Sequence, residues 1–396
     1  MNFFEQPYYK LPRNFARSIG RWPYQSELQR FIIAIAIIFA FILQVGPKIL
    51  ADIVHSDDQE LIFETLAPTI TDVASFAKYM NTFINAKMIK RLLQRIKDDW
   101  TFMPDDSEKL ILKKYAGLGK LMATGYVGFV YMTTVMFITE PLLPMIINLI
   151  LKTNISAPHE FPVPMEWIVI DKEKYYWLLF SNSSVCIMVI LTVLISYDVI
   201  FITFMHHAYG LFAITGYQSF PNLLELNPSI SWFKLNVFSV DIESKICLVM
   251  QYVKTILHPE QMYHQIQMMS IINIWFRASE LPLMSITGIQ IIAKTSTFQQ
   301  KIKYVMFTGA QMLHLFFECF LSQQLTDMSL RIQQHIANGK WYNISSKSQK
   351  LLILMTMRCQ VPCTLTAGKI MGLSIESFGM MMKTSGSYFT VLLSMQ

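Results

Sequence analysis

Long apolar segments alternate with short polar ones along most of the chain. A helix that crosses a bilayer needs about 20 predominantly apolar residues, and seven segments meet this requirement. In chain order they cover residues 31–54, 61–86, 118–151, 177–215, 262–293, 305–325 and 375–395. The second contains Asp72 and Lys78, and the last follows a region interrupted by Arg358, Pro362 and Lys369. The pattern therefore predicts an all-α membrane protein with seven transmembrane helices.

The segment 177–215 is longer than a bilayer crossing requires. As a helix it would extend roughly 55 Å at about 1.5 Å per residue, whereas the hydrocarbon core is about 30 Å thick. We expect the excess length to leave the membrane and to join residues 216–261 and 326–362 in a helical cytosolic bundle. A bundle of this kind is typical of a complex whose subunits share a common base.

The distribution of basic residues predicts which way the helices cross the membrane. Cytosolic loops carry an excess of Lys and Arg. Residues 1–30 contain five of them and residues 86–120 contain nine, whereas residues 55–64 contain none. Residues 294–303, which would lie outside, are an exception because they contain three lysines. We expect residues 1–30 to be cytosolic, so that an odd number of spans places the C-terminus outside the cell.

Two tripeptides match the acceptor sequence for N-glycosylation. Asn154-Ile155-Ser156 lies between the third and fourth spans, on the side predicted to be extracellular. Asn343-Ile344-Ser345 lies on the side predicted to be cytosolic. We therefore expect Asn154 to be glycosylated and Asn343 to remain unmodified.

The composition agrees with a membrane protein and argues against several other classes. Of the 396 residues, 53% are hydrophobic and 15% are charged, against about 25% charged in soluble domains. Five scattered cysteines do not provide a disulfide scaffold. The net charge is +6, but the basic residues sit in short segments between apolar runs. This distribution argues against nucleic acid as a partner.

The sequence shows no motif for catalysis or for a cofactor. We find no phosphate-binding glycine loop, no nucleophile motif and no paired carboxylates. Cys359 and Cys363 lack the second half of a zinc site, as do His206 and His207. The sequence therefore predicts that the chain is not an enzyme, needs no cofactor and binds no metal.

Four ionisable residues lie inside predicted spans, namely Asp72, Lys78, Glu140 and Glu318. Charge in hydrocarbon is costly, so such side chains usually face protein or water. Two interpretations remain open at this point. The residues could pair with one another and hold the bundle together, or some of them could line a water-filled vestibule.

Spans two, three, four and six are rich in aromatic residues, Met and Thr in the parts predicted to face the outer leaflet. A pocket for a small, largely apolar ligand needs such a lining with a few polar groups, and Met adapts to varied ligand shapes. Bundle interiors often have the same composition, so ordinary core is the alternative. The candidate ligand-binding residues are Phe76, Tyr79, Met80, Tyr131, Thr134, Met188, Thr192, Phe307 and Gln311.

The last helix carries a stripe of small polar side chains that becomes apolar near its end. The residues share one face at helical spacing and are Met380, Thr384, Ser387, Val391, Ser394 and Met395. Small residues allow close helix packing, which would make the stripe a seam between helices. A pore wall with an apolar ring that gates by dewetting would show the same pattern. Periodicity alone does not distinguish the two.

The C-terminal region resembles the C-terminal signature of insect odorant receptors. The matching features are Trp341-Tyr342, Gln349-Lys350, Arg358-Cys359-Gln360-Val361-Pro362, Leu365-Thr366-Ala367-Gly368-Lys369, Leu373-Ser374, Phe378 and Lys383-Thr384-Ser385-Gly386-Ser387-Tyr388-Phe389. The rest of the chain agrees with that family in length, span count and inverted topology. A gustatory receptor is the near neighbour, but the Gln-Phe ending of its terminal Tyr motif is absent after Tyr388. A G-protein-coupled receptor is disfavoured because the Asp-Arg-Tyr and Asn-Pro-x-x-Tyr motifs are absent.

The resemblance implies a subunit of an odorant-gated, non-selective cation channel that forms a heterotetramer with a shared co-receptor. The implied partners are that co-receptor, a small volatile organic ligand, membrane lipid and permeant cations. The implied location is the plasma membrane of olfactory sensory neuron dendrites, with several membrane crossings. The co-receptor has a large insertion between spans four and five, whereas the corresponding segment 216–261 is short here. The chain therefore resembles a ligand-tuned subunit rather than the co-receptor.

The resemblance also implies that span seven is split. The region 326–362 would contain a cytosolic anchor helix near Trp341 to Val361, and the region 363–396 would contain the pore helix near Ser374 to Met395. The hydrophobic gate of the family falls on Val391, and the pore mouth falls on Ser394 and Met395. The co-receptor has an amide and a leucine at those two mouth positions. The resemblance favours a pore wall over a packing seam for the polar stripe.

Overall fold

The structure is a computed structural model. It describes residues 3–103, 106–151, 159–167, 170–219, 298–338, 341–343, 346–367 and 371–394. The predicted fifth span at 262–293, the glycosylation candidate Asn154 and the pore-mouth candidate Met395 lie outside these residues. The same is true of most of the segment 216–261.

Helices account for nearly all regular structure in the described part of the chain. The α-helices are α1 Lys10–Ser18, α2 Glu27–Val54, α3 Gln59–Ile84, α4 Ala86–Phe102, α5 Asp106–Thr139, α6 Leu143–Leu151, α7 Tyr176–Ser219, α8 Phe298–Asn338, α9 Ser346–Cys359 and α10 Ile375–Ser394. Short 3-10 helices cover Phe3–Glu5, Glu140–Leu142 and Trp341–Asn343. Two-residue strands β1 (Thr366–Ala367) and β2 (Met371–Gly372) pair in antiparallel fashion between α9 and α10. The chain is an all-α membrane protein, as predicted.

Four helical stretches in the described part of the chain are long and apolar enough to cross a bilayer. They are Glu27–Val54, Asp106–Leu151, Tyr176–Ile214 and Lys301–Asn338, and they overlap predicted spans one, three, four and six. Helices α3 and α10, with 26 and 20 residues, coincide with predicted spans two and seven. Helix α3 is less apolar because it contains two glutamates besides Asp72 and Lys78.

Helix α8 continues well beyond the predicted end of span six at residue 325 and ends at Asn338. Residues 326–338 contain neither Gly nor Pro, so nothing in the sequence interrupts the helix there. Ile332 and Ile336 also bury one face of this extension against Phe212 of α7 and Leu352 of α9. The region 326–362 is therefore divided between the end of α8 and α9, and α9 lies within residues 341–361, where the resemblance implies the anchor helix. The division follows Asn338-Gly339, a sequence that typically ends helices.

Helix α7 is the centre of the bundle. In its most apolar stretch 72% of residues are buried, against 17% in the corresponding stretch of α2. It packs against α1, α2, α3, α5 and α8. Its continuous apolar sequence, without one polar face, is what a helix surrounded by others requires.

Residues 3–25, which we name the N-terminal hairpin, contain α1 and a returning loop and pack against this bundle. Helix α1 runs beside α5 and α7, and the Phe15 ring stacks on Tyr131 with centroids 6.4 Å apart. The chain reverses at Gly20, whose φ of +66° favours glycine and where a Cβ would lie 3.0 Å from Ile33. It then returns, so that Trp22 packs against Phe4 with centroids 5.2 Å apart. The tip of the hairpin therefore lies beside the first turns of α2.

Candidate ligand site and pore helix

A cavity of about 320 Å³ lies inside the bundle, between α3, α5, α7 and α8. Its walls are mostly apolar, with Val130 and Phe137 from α5, Ile190 and Leu194 from α7, and Phe307 from α8 among them. Small-molecule sites are typically concave and apolar with a few placed polar groups, and their volumes begin near 300 Å³. The cavity therefore has the size and lining of a site for a small organic ligand.

Two buried ion pairs contribute to the cavity lining. Lys48 Nζ of α2 lies 2.6 Å from Asp72 Oδ2 of α3, and Lys303 Nζ of α8 lies 3.4 Å from Glu140 Oε2. All four residues line the cavity. Asp72 and Glu140 are therefore compensated in the manner that charges inside a membrane protein require. Their pairing agrees with the first of the two interpretations left open by the sequence.

Polar side chains from three helices also line the cavity. The Gln311 amide donates to Thr71 Oγ1 over 3.4 Å, and His314 Nδ1 lies 3.1 Å from the Tyr126 hydroxyl. These four residues line the cavity and come from α3, α5 and α8. Together with the two ion pairs, they add hydrogen-bonding groups to a mostly apolar lining, an arrangement that orients a ligand.

Around His314, a cluster of charged and polar side chains joins four helices. Lys78 Nζ of α3 lies 3.0 Å from Asp198 Oδ1 of α7, 3.0 Å from His314 Nε2 and 3.4 Å from Glu318 Oε1 of α8. The Tyr126 hydroxyl of α5 donates to Asp198 Oδ2 over 2.6 Å. All five residues are buried. We name Lys78, Tyr126, Asp198, His314 and Glu318 the four-helix cluster.

The carboxylate and imidazole atoms of this cluster are close enough to hold a metal ion. However, the Lys78 ammonium lies within hydrogen-bonding reach of Asp198 and His314, and near Glu318. The ammonium thus provides the positive charge that a metal would otherwise supply. Sequence reasoning named Lys78 and Glu318 but missed Asp198 and His314. Both are ionisable residues within apolar runs, so the signal that identified the other two was also present for them.

The structure does not bring the nine predicted ligand-binding residues into one cavity. Thr134, Phe307 and Gln311 line the cavity between α3, α5, α7 and α8. Met188 and Thr192 instead line a groove on the outside of the bundle. Tyr131 belongs with this second group, since its hydroxyl lies 2.8 Å from Thr192 Oγ1.

The three candidates on α3 pack away from the cavity, against α2 and the N-terminal hairpin. Tyr79 is fully buried beneath the Arg21 guanidinium, which lies 4.2 Å from its ring centroid. Phe76 packs on Phe41 of α2 with centroids 5.2 Å apart, and Met80 joins the cluster around Tyr79. On α3 the face that contains Phe76 and Tyr79 meets α2, whereas Thr71 and Asp72 line the cavity and Lys78 joins the four-helix cluster. Helical periodicity identifies such faces but does not say which neighbour each one meets.

The predicted pore stripe lies on the face of α10 that points away from the rest of the chain. Val391, Ser387 and Ser394 are exposed, and 55% of Val391 is accessible. Met381 and Ser385 are buried, and Met381 packs against Leu315 and Cys319 of α8. Thr384 is half-buried, and its hydroxyl donates to the Met380 carbonyl over 2.9 Å. The stripe is therefore not a seam between the described helices of one chain.

The comparisons with known proteins agree with this architecture. The chain is similar to a solved structure of the insect olfactory receptor OR5 from Machilis hrabei in complex with eugenol, with a TM-score of 0.80 and 14% identity. That similarity covers 98% of this chain and 97% of the other. At this identity it establishes the fold alone.

Two curated receptors match part of the sequence. Odorant receptor 85f of Drosophila melanogaster is 26% identical over 92 residues, which are 23% of this chain and 24% of that receptor. Odorant receptor Or2 of Anopheles gambiae is 29% identical over 89 residues, 22% of this chain and 23% of that one. These matches therefore span about a quarter of each relative.

The family model described as 7tm Odorant receptor matches residues 59–386 and thus most of the chain. This is a family of receptors, which agrees with the prediction that the chain is not an enzyme. The match includes α3, all the described cavity-lining residues except Lys48, and most of α10. The chain belongs to the insect odorant receptor family.

Proposed function

We propose that the chain is the odorant-binding subunit of an odorant-gated, non-selective cation channel that it forms with the shared co-receptor. The observation that carries the proposal is that α8 contributes to both functional regions. Gln311 and His314 line the cavity, and Leu315 and Cys319, on the next turns, pack against Met381 of α10. A ligand that displaces α8 in the cavity would therefore act directly on α10.

The proposed ligand is a small volatile organic compound bound in the cavity between α3, α5, α7 and α8. The volume of about 320 Å³ and the apolar walls support this assignment. The similar Machilis receptor is in complex with eugenol. For this chain we propose binding of the same general kind, with Gln311 and His314 among the ligand contacts.

The proposed pore wall is the exposed stripe on α10, with Val391 as its hydrophobic gate and Thr384, Ser387 and Ser394 as neighbouring wall positions. The proposal also includes Met395, on sequence spacing alone. The exposure of the stripe in the single chain supports a role between subunits. The hydroxyls of Thr384, Ser387 and Ser394 donate to carbonyls of their own helix. The stripe thus presents an uncharged surface to permeant cations, and an apolar ring within it can gate by dewetting.

The proposed orientation has residues 1–30 in the cytosol, the C-terminus outside and Asn154 glycosylated, in the dendritic plasma membrane of olfactory neurons. The basic bias of residues 1–30 and 86–120 supports it. An epitope tag at residue 1 should be stained only after permeabilisation, and N-glycosidase should change the migration of the wild type but not of Asn154→Gln. Staining of intact cells would contradict both the topology and the channel assembly.

The direct test of function is co-expression with the co-receptor in a cell that lacks odorant receptors, followed by an odorant panel under voltage clamp. Ala310 lines the cavity, so Ala310→Trp should fill it and abolish responses of the wild-type panel. Val305 lies on the same helix but is exposed and is not among the described lining residues. Val305→Trp should therefore leave responses unchanged, which makes it the matched control. Normal responses of Ala310→Trp at equal surface expression would place the odorant elsewhere.

A further inference from the structure

A second concavity, of about 750 Å³, lies on the outside of the bundle between α2 and α5. Helix α7 forms its base from Ser184 to Thr192, a length of about 12 Å at 1.5 Å per residue. Its apolar lining includes Ile32, Ile33, Ala36 and Ile37 of α2, Val135 and Ile138 of α5, and Val185, Met188 and Val189 of α7. We name this concavity the outer groove.

The outer groove is open to the surroundings of the protein. The exposed fractions of Ile32, Val135 and Val185 are 56%, 50% and 61%. In a membrane protein an open apolar groove at this position meets lipid chains rather than water. The groove meets the face of α7 opposite to the one that lines the cavity proposed for odorants, and Thr139 borders both spaces.

One end of the groove is polar. An adjoining hollow of about 520 Å³ shares Ser18, Ile32 and Ile33 with the groove. Its remaining described lining is polar and consists of Asn14, Arg17, Gln25 and Gln29. These side chains come from the N-terminal hairpin and the first turn of α2, where the apolar part of α2 begins. The hollow therefore lies near the boundary between headgroups and hydrocarbon.

Two observations indicate that the hollow is suited to a polar ligand. No described carboxylate lies within salt-bridge distance of Arg17, which is exposed, whereas Arg13 on the same helix pairs with Glu5 over 3.3 Å. The Gln25 side-chain oxygen is buried and accepts no hydrogen bond from the described residues. An unpaired guanidinium suits a phosphate. An unsatisfied buried oxygen suits a hydroxyl donor.

We propose that the outer groove and its polar hollow bind one anionic phospholipid with a hydroxylated headgroup, from the leaflet on the N-terminal side. The phosphate lies at Arg17, and a headgroup hydroxyl donates to Gln25. Asn14 and Gln29 donate to the remaining phosphate or ester oxygens, and one acyl chain follows α7 through the groove. Arg17 is the charged residue among the described lining of both hollows. A net positive site favours anionic over zwitterionic lipid.

The test uses the full chain, purified and delipidated in detergent, with dioleoyl phosphatidylglycerol and dioleoyl phosphatidylcholine as probes. Native mass spectrometry should show one retained phosphatidylglycerol per chain, in preference to phosphatidylcholine. Arg17→Gln should weaken this binding about tenfold, the loss expected for one charge-assisted contact. Arg13→Gln removes the same charge from the same helix outside the hollow and should retain the lipid. Equal losses in the two variants would overturn the proposal.

A second pair of variants tests the acyl-chain part of the groove. Ala36 lines the groove, so Ala36→Trp should exclude the lipid. Ile35 is 52% exposed but is not among the described lining residues, so Ile35→Trp is the control and should retain it. Binding by Ala36→Trp, or displacement of phosphatidylglycerol by inorganic phosphate or by cholesterol, would overturn the proposal. Lipid binding is measured without channel activity, so the result does not depend on the function proposed above.

Discussion

The interior around the cavity and the polar stripe of α10 differ in how their polar groups are compensated. Around the cavity, full charges lie inside the bundle and find partners on neighbouring helices, as in Lys48–Asp72 and Lys303–Glu140. Along the stripe of α10, the polar groups are hydroxyls that bond to their own helix. The ion pairs specify how the helices of one chain pack. The stripe leaves a neutral surface that is available to other subunits.

The difference indicates which region determines the stability of the fold and which region determines conduction. Interior charge pairs are intolerant of change, because removing one partner leaves an uncompensated charge in a medium of low dielectric. A helix face with internally satisfied hydroxyls can be changed without unfolding the chain. Variants of the interior should therefore alter stability first, and variants of the α10 stripe should alter conduction first.

The largest effect is expected in the four-helix cluster. Lys78→Met leaves Asp198 and Glu318 without their shared cation, and breaking a buried pair in this way costs about 3–5 kcal/mol. Thermal unfolding of the purified chain should show a large loss of stability. Lys90 is exposed on α4, and Lys90→Met should have almost no effect. A similar loss in both variants would show that the cluster does not hold the helices together.

A stability loss is also expected at Tyr79, although sequence patterns suggested a ligand contact there. Tyr79 is fully buried below Arg21, so Tyr79→Ala should cost about 3–5 kcal/mol. Gln311→Leu should instead change the ranking of odorants by about tenfold, because it removes a hydrogen-bonding group from the cavity. Dose–response curves normalised to surface protein distinguish a loss of folded receptor from a change in odorant ranking. A changed ranking in Tyr79→Ala with an unchanged one in Gln311→Leu would reverse the assignment.

A smaller effect, on conduction rather than stability, is expected at the proposed gate. Val391→Thr replaces a methyl group by a hydroxyl, which should favour wetting of the ring by about 1 kcal/mol. Current without odorant should rise about fivefold. Ser394→Lys should reduce cation conductance, because it would place positive charge in the proposed pore. In the proposed mixed channel both effects should be partial, because the co-receptor subunits would supply their own residues to the ring.

The seam interpretation of α10 makes the opposite prediction for these variants. If the stripe packed against another helix, both substitutions would lower surface expression and leave basal current and reversal potential unchanged. Met381→Thr provides the comparison inside the chain, since Met381 is buried against α8. It should reduce surface expression without raising basal current.

The sequence predicted the class of the fold because the relevant signal is local. Twenty apolar residues in a row indicate a span wherever they pack, and the helices α2, α5, α7 and α8 overlap the spans that this rule predicted. The candidate site was predicted less well because it depends on which helix faces meet. Lys303 illustrates the limit, since it was assigned to an outside loop and lies buried against Glu140.

The smallest effect is expected at the loop that covers the cavity. Residues 159–167 bring Val163 into the cavity lining. The Glu166 amide donates to the Pro47 carbonyl over 3.0 Å, and its carboxylate pairs with Lys172 and lies 3.4 Å from His55 Nε2. Partial burial alone would raise the pKa of Glu166, but the contacts with Lys172 and His55 outweigh it and lower that pKa below the usual value of 4.5. The stabilisation is therefore present at neutral pH and is lost as the pH falls through the lowered value.

Because the pair is partly solvated, its contribution should not exceed about 1 kcal/mol. Glu166→Gln should loosen the loop at pH 7 and speed odorant dissociation a few-fold, up to about fivefold for that free energy. The variant and the wild type should converge only where the wild-type carboxylate is itself protonated, below pH 4.5. Glu173→Gln, an exposed change beyond the loop, should behave as the wild type. The rate at which the current deactivates after odorant removal, recorded at pH 7 and below pH 4.5, measures odorant dissociation. An equal rate in Glu166→Gln and the wild type at pH 7 would show that this ion pair does not hold the loop over the cavity.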